Sequence, residues 1–350
     1  MSELLERPFS FAVVDRDATS AARRGVLRTP HGDVPTPVFM PVGTAGSVKA
    51  VTFEQVAATG ARIILGNTYH LHLRPGSGLI RDLGGLHRFQ HWDGAILTDS
   101  AGFQVFSLTD LVKVSEDGVR FRSHLDGAPL EFTPEISMQI QVELGADIVM
   151  AFDQCAPADA EAGEIARAVD RTGRWLERCV AAFGPGGRRA AAGYEQVLFG
   201  IMQGGILPAE RRRSAEQITA LDLPGYAIGG LSVGEPKAML HAMTAESAPL
   251  LPEDRPRYLM GVGLPPQILE GIAHGLDLFD CVLPTRMGRR GHLFTRDGVV
   301  RIATKTFERS EEPLDAECTC EVCRTHSRAY LRHLFAVAEH SAVTLGTLHN

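Results

Sequence analysis

Short runs of apolar, β-favouring residues alternate along this chain with longer stretches whose apolar positions recur every three or four residues. The short runs fall at 37–42, 61–66, 95–98, 147–152, 197–202, 226–229, 257–260 and 276–279. Each reads as a strand buried on both faces. Between them the pattern predicts helices over 52–59, 134–144, 161–183, 209–221, 237–247 and 266–274, several opened by a Thr, Pro or acidic residue suited to a helix start. Eight alternating units predict an α/β fold, a (β/α)8 TIM barrel whose strands all deliver their carboxyl ends to one rim. A doubly wound open sheet is the competing arrangement, and no Gly-x-Gly-x-x-Gly turn follows an early strand to support it. Residues 1–36 read as an N-terminal β-rich cap, 37–300 as the barrel, and 301–350 as a C-terminal subdomain with closing helices near the last barrel unit. The Gly- and Ala-rich stretch 183–193 reads as a flexible surface loop.

On the expected rim stand Asn67, Asp99, Ser100, Gln104, Asp153, Gln203, Gly229, Gly230 and Asp280. Asp280 ends an apolar run and is followed at once by a basic loop. A lone carboxylate there more often pairs with a neighbour such as Arg286. Polar residues at the ends of about half the strands instead point to one shared site. Gly204-Gly205 and Gly229-Gly230 either make tight turns or let a flat ligand approach the backbone. Met202, Met260 and Phe103 offer an apolar sandwich for an aromatic ligand, although a Met on a strand is more often core.

Composition changes this picture in three places. The 350 residues are 44% hydrophobic, enough for a large core, and no apolar run approaches the roughly 20 residues of a membrane-spanning helix. The start, Met1-Ser-Glu-Leu-Leu-Glu-Arg7, lacks a signal peptide's basic-then-apolar order, so a cytoplasmic protein without membrane attachment is expected. The net charge of -7 argues mildly against a nucleic-acid partner, but Arg286, Arg289, Arg290, Arg296, Arg301, Lys305 and Arg309 crowd one short region after Asp280 and suit a polyanion. The motif Cys318-x-Cys320-x-x-Cys323 packs three soft ligands into a hydrophilic segment and predicts one structural, tetrahedral Zn2+. His326 is the nearest candidate for the fourth ligand, and a returning chain brings His349 instead.

The motifs Phe39-Met-Pro-Val-Gly-Thr44, Leu65-Gly-Asn-Thr-Tyr-His-Leu71, Thr98-Asp-Ser-Ala-Gly-Phe-Gln104, Phe152-Asp-Gln-Cys155, Met202-Gln-Gly-Gly205, Gly229-Gly-Leu-Ser-Val-Gly-Glu235, Tyr258-Leu-Met-Gly-Val-Gly263 and Phe279-Asp-Cys-Val-Leu-Pro-Thr-Arg286, with the cysteine cluster and Leu348-His349, span nearly the whole chain. In this order they resemble the queuine/archaeosine tRNA-ribosyltransferase family, most closely its bacterial tRNA-guanine transglycosylases. The resemblance implies a zinc-bearing barrel acting as a homodimer on tRNA with a guanine wobble base. Guanine is exchanged for 7-aminomethyl-7-deazaguanine through a covalent enzyme-ribosyl intermediate, a step of queuosine biosynthesis. It implies Asp280 as nucleophile and Asp99 as general acid/base. A purine site is implied from Ser100, Phe103, Gln104, Asp153, Gln203, Gly229, Gly230, Leu231, Val233 and Met260, with Phe103 and Met260 against the ring faces. RNA contacts are implied for Gly261, Val262, Gly263, Leu264, Pro265, Pro266 and Gln267, and for Thr285, Arg286, Met287, Gly288 and Arg289. Cys318, Cys320, Cys323 and His349 are implied as zinc ligands, one ion per subunit. Val233, where eukaryotic catalytic subunits have Gly, implies the small aminomethyl base over queuine. Ala101, Gln154 and Leu264-Pro-Pro266 depart from the usual bacterial pattern.

The chemistry suits these residue types. Exchanging a base without breaking the backbone needs a nucleophile that holds the ribose and a second group that gives and takes a proton. Two carboxylates do the same in retaining glycosidases, the competing enzymatic reading; a non-catalytic tRNA-binding partner subunit is the non-enzymatic one. The former has no need of a purine slot, basic loop and zinc clip together, and the latter no need of both Asp99 and Asp280.

Overall fold

The computed structural model describes residues 8–100, 102, 112–184, 188–190 and 193–350. They form two compact units, one of Met1–Gly46 with Arg62–Asp280 and one of Ser47–Ala61 with Cys281–Asn350. The second unit thus begins at Cys281, ahead of the boundary at 300/301 suggested by the sequence, and takes in the helix Phe53–Ala58.

In the first unit the strands Val38–Met40, Leu278–Asp280, Arg257–Leu259, Gly225–Ile228, Glu195–Met202, Ile148–Met150, Ala95–Thr98, Ile63–Gly66 and Val42–Gly43 pair in that order. Every pairing along this path is parallel. The two end members belong to one segment split at Pro41, which has no N–H to give but whose carbonyl accepts from Leu65 at 3.0 Å. The sheet therefore closes into the expected barrel, its first stave serving two neighbours. Helices return the chain between staves. Pro134–Leu144 is capped by the Thr133 hydroxyl, and Ala162–Phe183 buries Ile165, Ala168, Val169, Thr172, Leu176, Cys179 and Phe183 along one stripe.

Three local features differ from expectation. Three short helices, Thr68–Leu73, Ser77–Asp82 and Gly85–Gln90, follow the second stave, too short to carry a clear 3.6-residue period. An antiparallel sheet of Lys113–Val114, Val119–Arg122 and Pro129–Phe132 precedes Pro134–Leu144. Within the stretch read as a loop, Arg188–Arg189 pairs antiparallel with Glu195 and Gln196.

The N-terminal cap is a three-stranded antiparallel sheet of Ser10–Arg16, Arg23–Thr29 and Gly32–Thr36. It engages two carboxylates at the amino ends of barrel strands. Asp277 takes Arg23 Nε at 2.9 Å and Nη2 at 2.5 Å, both side chains buried. Asp147 lies between His31 Nδ1 at 2.6 Å and His87 Nε2 at 3.1 Å, the two imidazoles stacked 3.5 Å apart, and takes the Ile96 N–H at 2.8 Å. These acids are consumed by structure at the end opposite the rim.

In the second unit, Leu283–Arg289 crosses His340–His349 at a glycine pair. A Cβ on either Gly288 or Gly346 would collide with the other's carbonyl oxygen. A core of Leu293, Ile302, Leu314, Val322, Cys323 and Leu331 lies beside them. Asn350 ties the hairpin of His292–Thr295 and Gly298–Arg301 to the helix by accepting from Phe294 N–H at 2.9 Å and donating to Pro284 and His292 carbonyls, each at 3.0 Å. Among the described residues no helix is long and apolar enough to cross a membrane.

Candidate active site and metal centre

Because the barrel strands are parallel, Asn67, Asp99, Asp153, Gln203, Gly229, Met260 and Asp280, each at or just beyond a strand's carboxyl end, share one rim. Asp280 is the last residue of its strand. The pairing of Tyr258 with Leu278 puts Tyr258 on the face that Asp280 shares two residues on. The Tyr258 hydroxyl donates to Asp280 Oδ1 at 2.6 Å and the Gly261 N–H to the same oxygen at 2.8 Å. Oδ2 accepts no hydrogen bond among the described residues. Burial raises the pKa of this carboxyl, and the two donors pull against that rise.

Asp99 is held from the preceding stave. Asn67 Nδ2 donates to its Oδ2 at 2.7 Å and the Thr68 N–H to its Oδ1 at 3.0 Å, while the Thr68 hydroxyl bonds its carbonyl. Asn67 also caps Thr68–Leu73 through His70 N–H at 3.0 Å. One asparagine thereby starts a helix and aims a carboxylate.

Asp153 receives Gln203 Nε2 at 2.6 Å on Oδ2 and Ser100 Oγ at 3.1 Å on Oδ1. Burial nevertheless pushes its pKa up to about 6. The Gln203 amide lies against the Gly229-Gly230 turn. A Cβ on Gly229 would come within 2.8 Å of Gln203 Nε2, and one on Gly230, whose φ is +63°, would strike Oε1. These glycines are thus required by a neighbouring side chain as well as by the turn. Leu231 is buried, and Glu235 accepts from the Ser232 N–H at 2.5 Å and the half-buried Val233 N–H at 3.0 Å. Met260 is half-buried at the rim, whereas Met202 is fully buried and belongs to the core, the commoner place for a Met on a strand. Ala101, Phe103 and Gln104 lie outside the described residues.

Of the segment 261–267, Val262 and Gly263 are buried and Pro265 and Pro266, which open the helix Pro265–Ala273, are exposed. Of 285–289, Gly288 is consumed by the crossing with Gly346, Arg286 is exposed, and Thr285, Met287 and Arg289 are half-buried. Arg289 Nη1 has no hydrogen-bond acceptor among the described residues. Burial lowers this guanidinium's pKa, helped by the charges of Arg286 and Arg290.

The ligand atoms of Cys318, Cys320, Cys323 and His349 lie within 4.8 Å of one another. His349 Nδ1 is 3.5 Å from Cys320 Sγ and 3.4 Å from Cys323 Sγ. A tetrahedral Zn2+ bonded at about 2.3 Å to sulfur and about 2.0 Å to nitrogen sets its ligands roughly 3.5 Å apart. His349 Nε2 faces the Phe294 carbonyl at 2.5 Å, so its proton belongs there and the Nδ1 lone pair is turned to the sulfurs. Burial lowers the His349 pKa, favouring the neutral imidazole a metal requires. His326, the nearest histidine in sequence, packs on Tyr330 and is outside this group. His31, His87 and Asp147 form a second set of possible ligands, already joined by their own hydrogen bonds.

Sequence reading assigned no role to Tyr258, Glu235 or Arg211. Tyr258 and Glu235 stand inside motifs quoted for other residues. Arg211 occupies the phase of the buried stripe Arg211, Ser214, Ala215, Ile218 of Pro208–Thr219, where a charge is out of place unless satisfied.

Residues 17–350 match the family described as queuine tRNA-ribosyltransferase. A queuine tRNA-ribosyltransferase of Desulforamulus reducens is 50% identical over 343 residues, 98% of this chain and 90% of that protein. One from Moorella thermoacetica is 53% identical over 97% of this chain and 89% of its own length. One from Herpetosiphon aurantiacus is 54% identical over 94% of this chain and 82% of its own. With nearly every residue of the chain inside these matches, and the barrel rim and cysteine cluster among them, the protein belongs to the queuine tRNA-ribosyltransferase family.

Proposed function

We propose that this enzyme exchanges the guanine at the wobble position of tRNA for 7-aminomethyl-7-deazaguanine through a ribosyl intermediate on Asp280. The observation that carries the reading is the asymmetry of the Asp280 carboxylate: Oδ1 is pinned by Tyr258 and Gly261, and Oδ2 is left without a hydrogen-bonding partner among the described residues. Oδ2 attacks the ribose anomeric carbon as the bond to guanine N9 breaks, the electron pair leaving with the base. Asp99 supplies a proton to the departing guanine. As carboxylate it then takes one from the incoming base, whose N9 displaces Asp280 and restores the original configuration.

Asp153, Gln203 and the Gly230 and Leu231 backbone read the purine edge, offering an acceptor, an amide and N–H donors. Ser100 and Gly229 complete that platform, Val233 limits the substituent to the aminomethyl group, and Met260 lies on one ring face with Phe103 and Gln104 beside it. The target base leaves its stack to reach the rim. Exposed Pro265, Pro266 and Arg286 meet the RNA backbone, and the half-buried Arg289 adds positive charge beside Arg286. Buried Val262, Gly263 and Gly288 shape those segments from within. When bound at Cys318, Cys320, Cys323 and His349, zinc supplies a closed structural clip and takes no part in base exchange. The working species is a cytoplasmic homodimer.

Radiolabelled guanine and an unmodified tRNA with a G-U-N anticodon test the reaction. Label enters acid-precipitable RNA with the wild type and not with Asp280→Asn. Absence of incorporation by folded, zinc-replete wild type removes the proposal, and full activity in Asp280→Asn moves the nucleophile elsewhere.

A further inference from the structure

Arg211 is fully buried, its hydrogen bonds among the described residues all go to backbone carbonyls, and Glu235 acts on it only through longer-range attraction. Its guanidinium is spent on backbone carbonyls: Nε donates to Gly205 at 2.9 Å, Nη1 to Gly229 at 2.6 Å and to Met202 at 3.4 Å, and Nη2 to Gly230 at 3.1 Å. Burial lowers its pKa to about 10, which still leaves it charged at neutral pH. A charge whose counter-charge is not in direct contact is costly to bury, so a residue needed only to fill space here would be apolar.

What the four bonds hold is informative. A peptide unit joins the carbonyl of one residue to the N–H of the next. Fixing the Gly229 carbonyl therefore fixes the N–H of Gly230, and fixing the Gly230 carbonyl fixes the N–H of Leu231. In each trans unit carbonyl and N–H point oppositely, so carbonyls turned to Arg211 turn both N–H groups away from it. The Met202 and Gly205 carbonyls bracket Gln203, whose amide reaches Asp153 at 2.6 Å. One guanidinium thus joins the ends of two adjacent strands, Glu195–Met202 and Gly225–Ile228. Hydrogen bonding of a charge to a carbonyl also polarises the same peptide's N–H and makes it a stronger donor.

We infer that Arg211 is a positioning residue for base recognition, holding and polarising the Gly230 and Leu231 amides and the Gln203 backbone from beneath the purine platform without touching the purine. This rests on the base-exchange reading proposed above.

The test compares wild type, Arg211→Lys and Arg211→Ala in the full-length, zinc-loaded protein. Lys keeps the charge but cannot span four carbonyls. KM is measured separately for guanine, for 7-aminomethyl-7-deazaguanine and for tRNA, beside thermal melting and trapping of covalent tRNA complex. Loss of a charge-assisted hydrogen-bond set predicts a rise in KM for both bases of about tenfold or more, with KM for tRNA changed less than about twofold. Added guanidinium at millimolar concentration restores base affinity in Arg211→Ala several-fold. The inference is overturned if folded Arg211→Lys shows unaltered base KM, if base and tRNA KM rise together, or if neither variant folds. Absence of exchange by the wild type removes the functional reading itself, a separate result.

Discussion

The hydroxyl of Tyr258 donates to Asp280 Oδ1 at 2.6 Å from the neighbouring strand. With Gly261 it opposes the rise in pKa that burial imposes on Asp280. In Tyr258→Phe that opposition weakens and the Asp280 pKa rises further, so the acidic limb of kcat/KM moves to higher pH. At neutral pH the loss of one such bond slows formation of the covalent tRNA complex by about tenfold. An acidic limb at its original pH in the variant would show that the hydroxyl has no hold on the nucleophile.

Asp153 has a pKa near 6 because it is buried, its donors Gln203 and Ser100 notwithstanding. As pH falls through about 6 the carboxylate gains a proton and loses an acceptor, so KM for the base rises below that pH. In Asp153→Asn base affinity is lower by about tenfold to a hundredfold and loses this pH dependence. A titration of base binding by calorimetry between pH 5 and pH 8 (roughly the span in which such a group changes charge) checks both; identical dependence in the variant would assign the titration to another group.

Gly288 and Gly346 are in contact where their helices cross, and His349 lies three residues further along the second helix. Gly288→Ala forces the helices apart, at a cost of about 1–3 kcal/mol. Metal affinity falls with stability because a metal-site ligand moves. Elemental analysis and thermal melting measure the two effects, and a variant with wild-type melting would show that the crossing yields freely.

Chelation of the proposed zinc removes a contribution on the order of 10 kcal/mol from a site of this kind. A strong chelator, or Cys320→Ala, therefore adds a low-temperature melting transition and abolishes tRNA retention on a filter. Retained stoichiometric zinc in Cys320→Ala would break the ligand assignment.

Burial works to raise the pKa of Asp147, but His87 and His31 hold it well below the usual carboxylate range. Burial depresses His87, with Asp147 opposing. Both folded pKa values lie below the unfolded ones, so the unfolded chain takes up protons first. Stability is complete above about 6.5, the unfolded imidazole value, and is lost as pH falls through the folded values. His31→Ala removes a donor to Asp147 and moves the acid-unfolding midpoint to higher pH, seen by circular dichroism. A midpoint unchanged by the substitution would refute the pairing.

The barrel was legible in the sequence because alternation of short apolar runs with helical periods is a local property of the chain. Parallel strands then put their carboxyl ends together, so Asp99, Asp153, Gln203 and Asp280 could be gathered from strand ends alone. The three packed cysteines were equally legible, since their spacing is itself the signal. Tertiary structure decided what depends on residues distant in sequence: that His349, which spacing alone left open beside His326 and the resemblance implied, joins the cysteines, that Tyr258 bonds Asp280 and Arg211 bonds the carbonyls of two strand ends, and that Met202 is core. It also separated four acids of similar sequence context. Asp147 and Asp277 stand at the starts of strands, the first hydrogen-bonded to His31 and His87 and the second paired with Arg23, whereas Asp153 and Asp280 lie beyond or at strand ends. A strand's residues state that a carboxylate is near its end; only the direction of the folded chain, and what packs against that end, state whether its charge is already used.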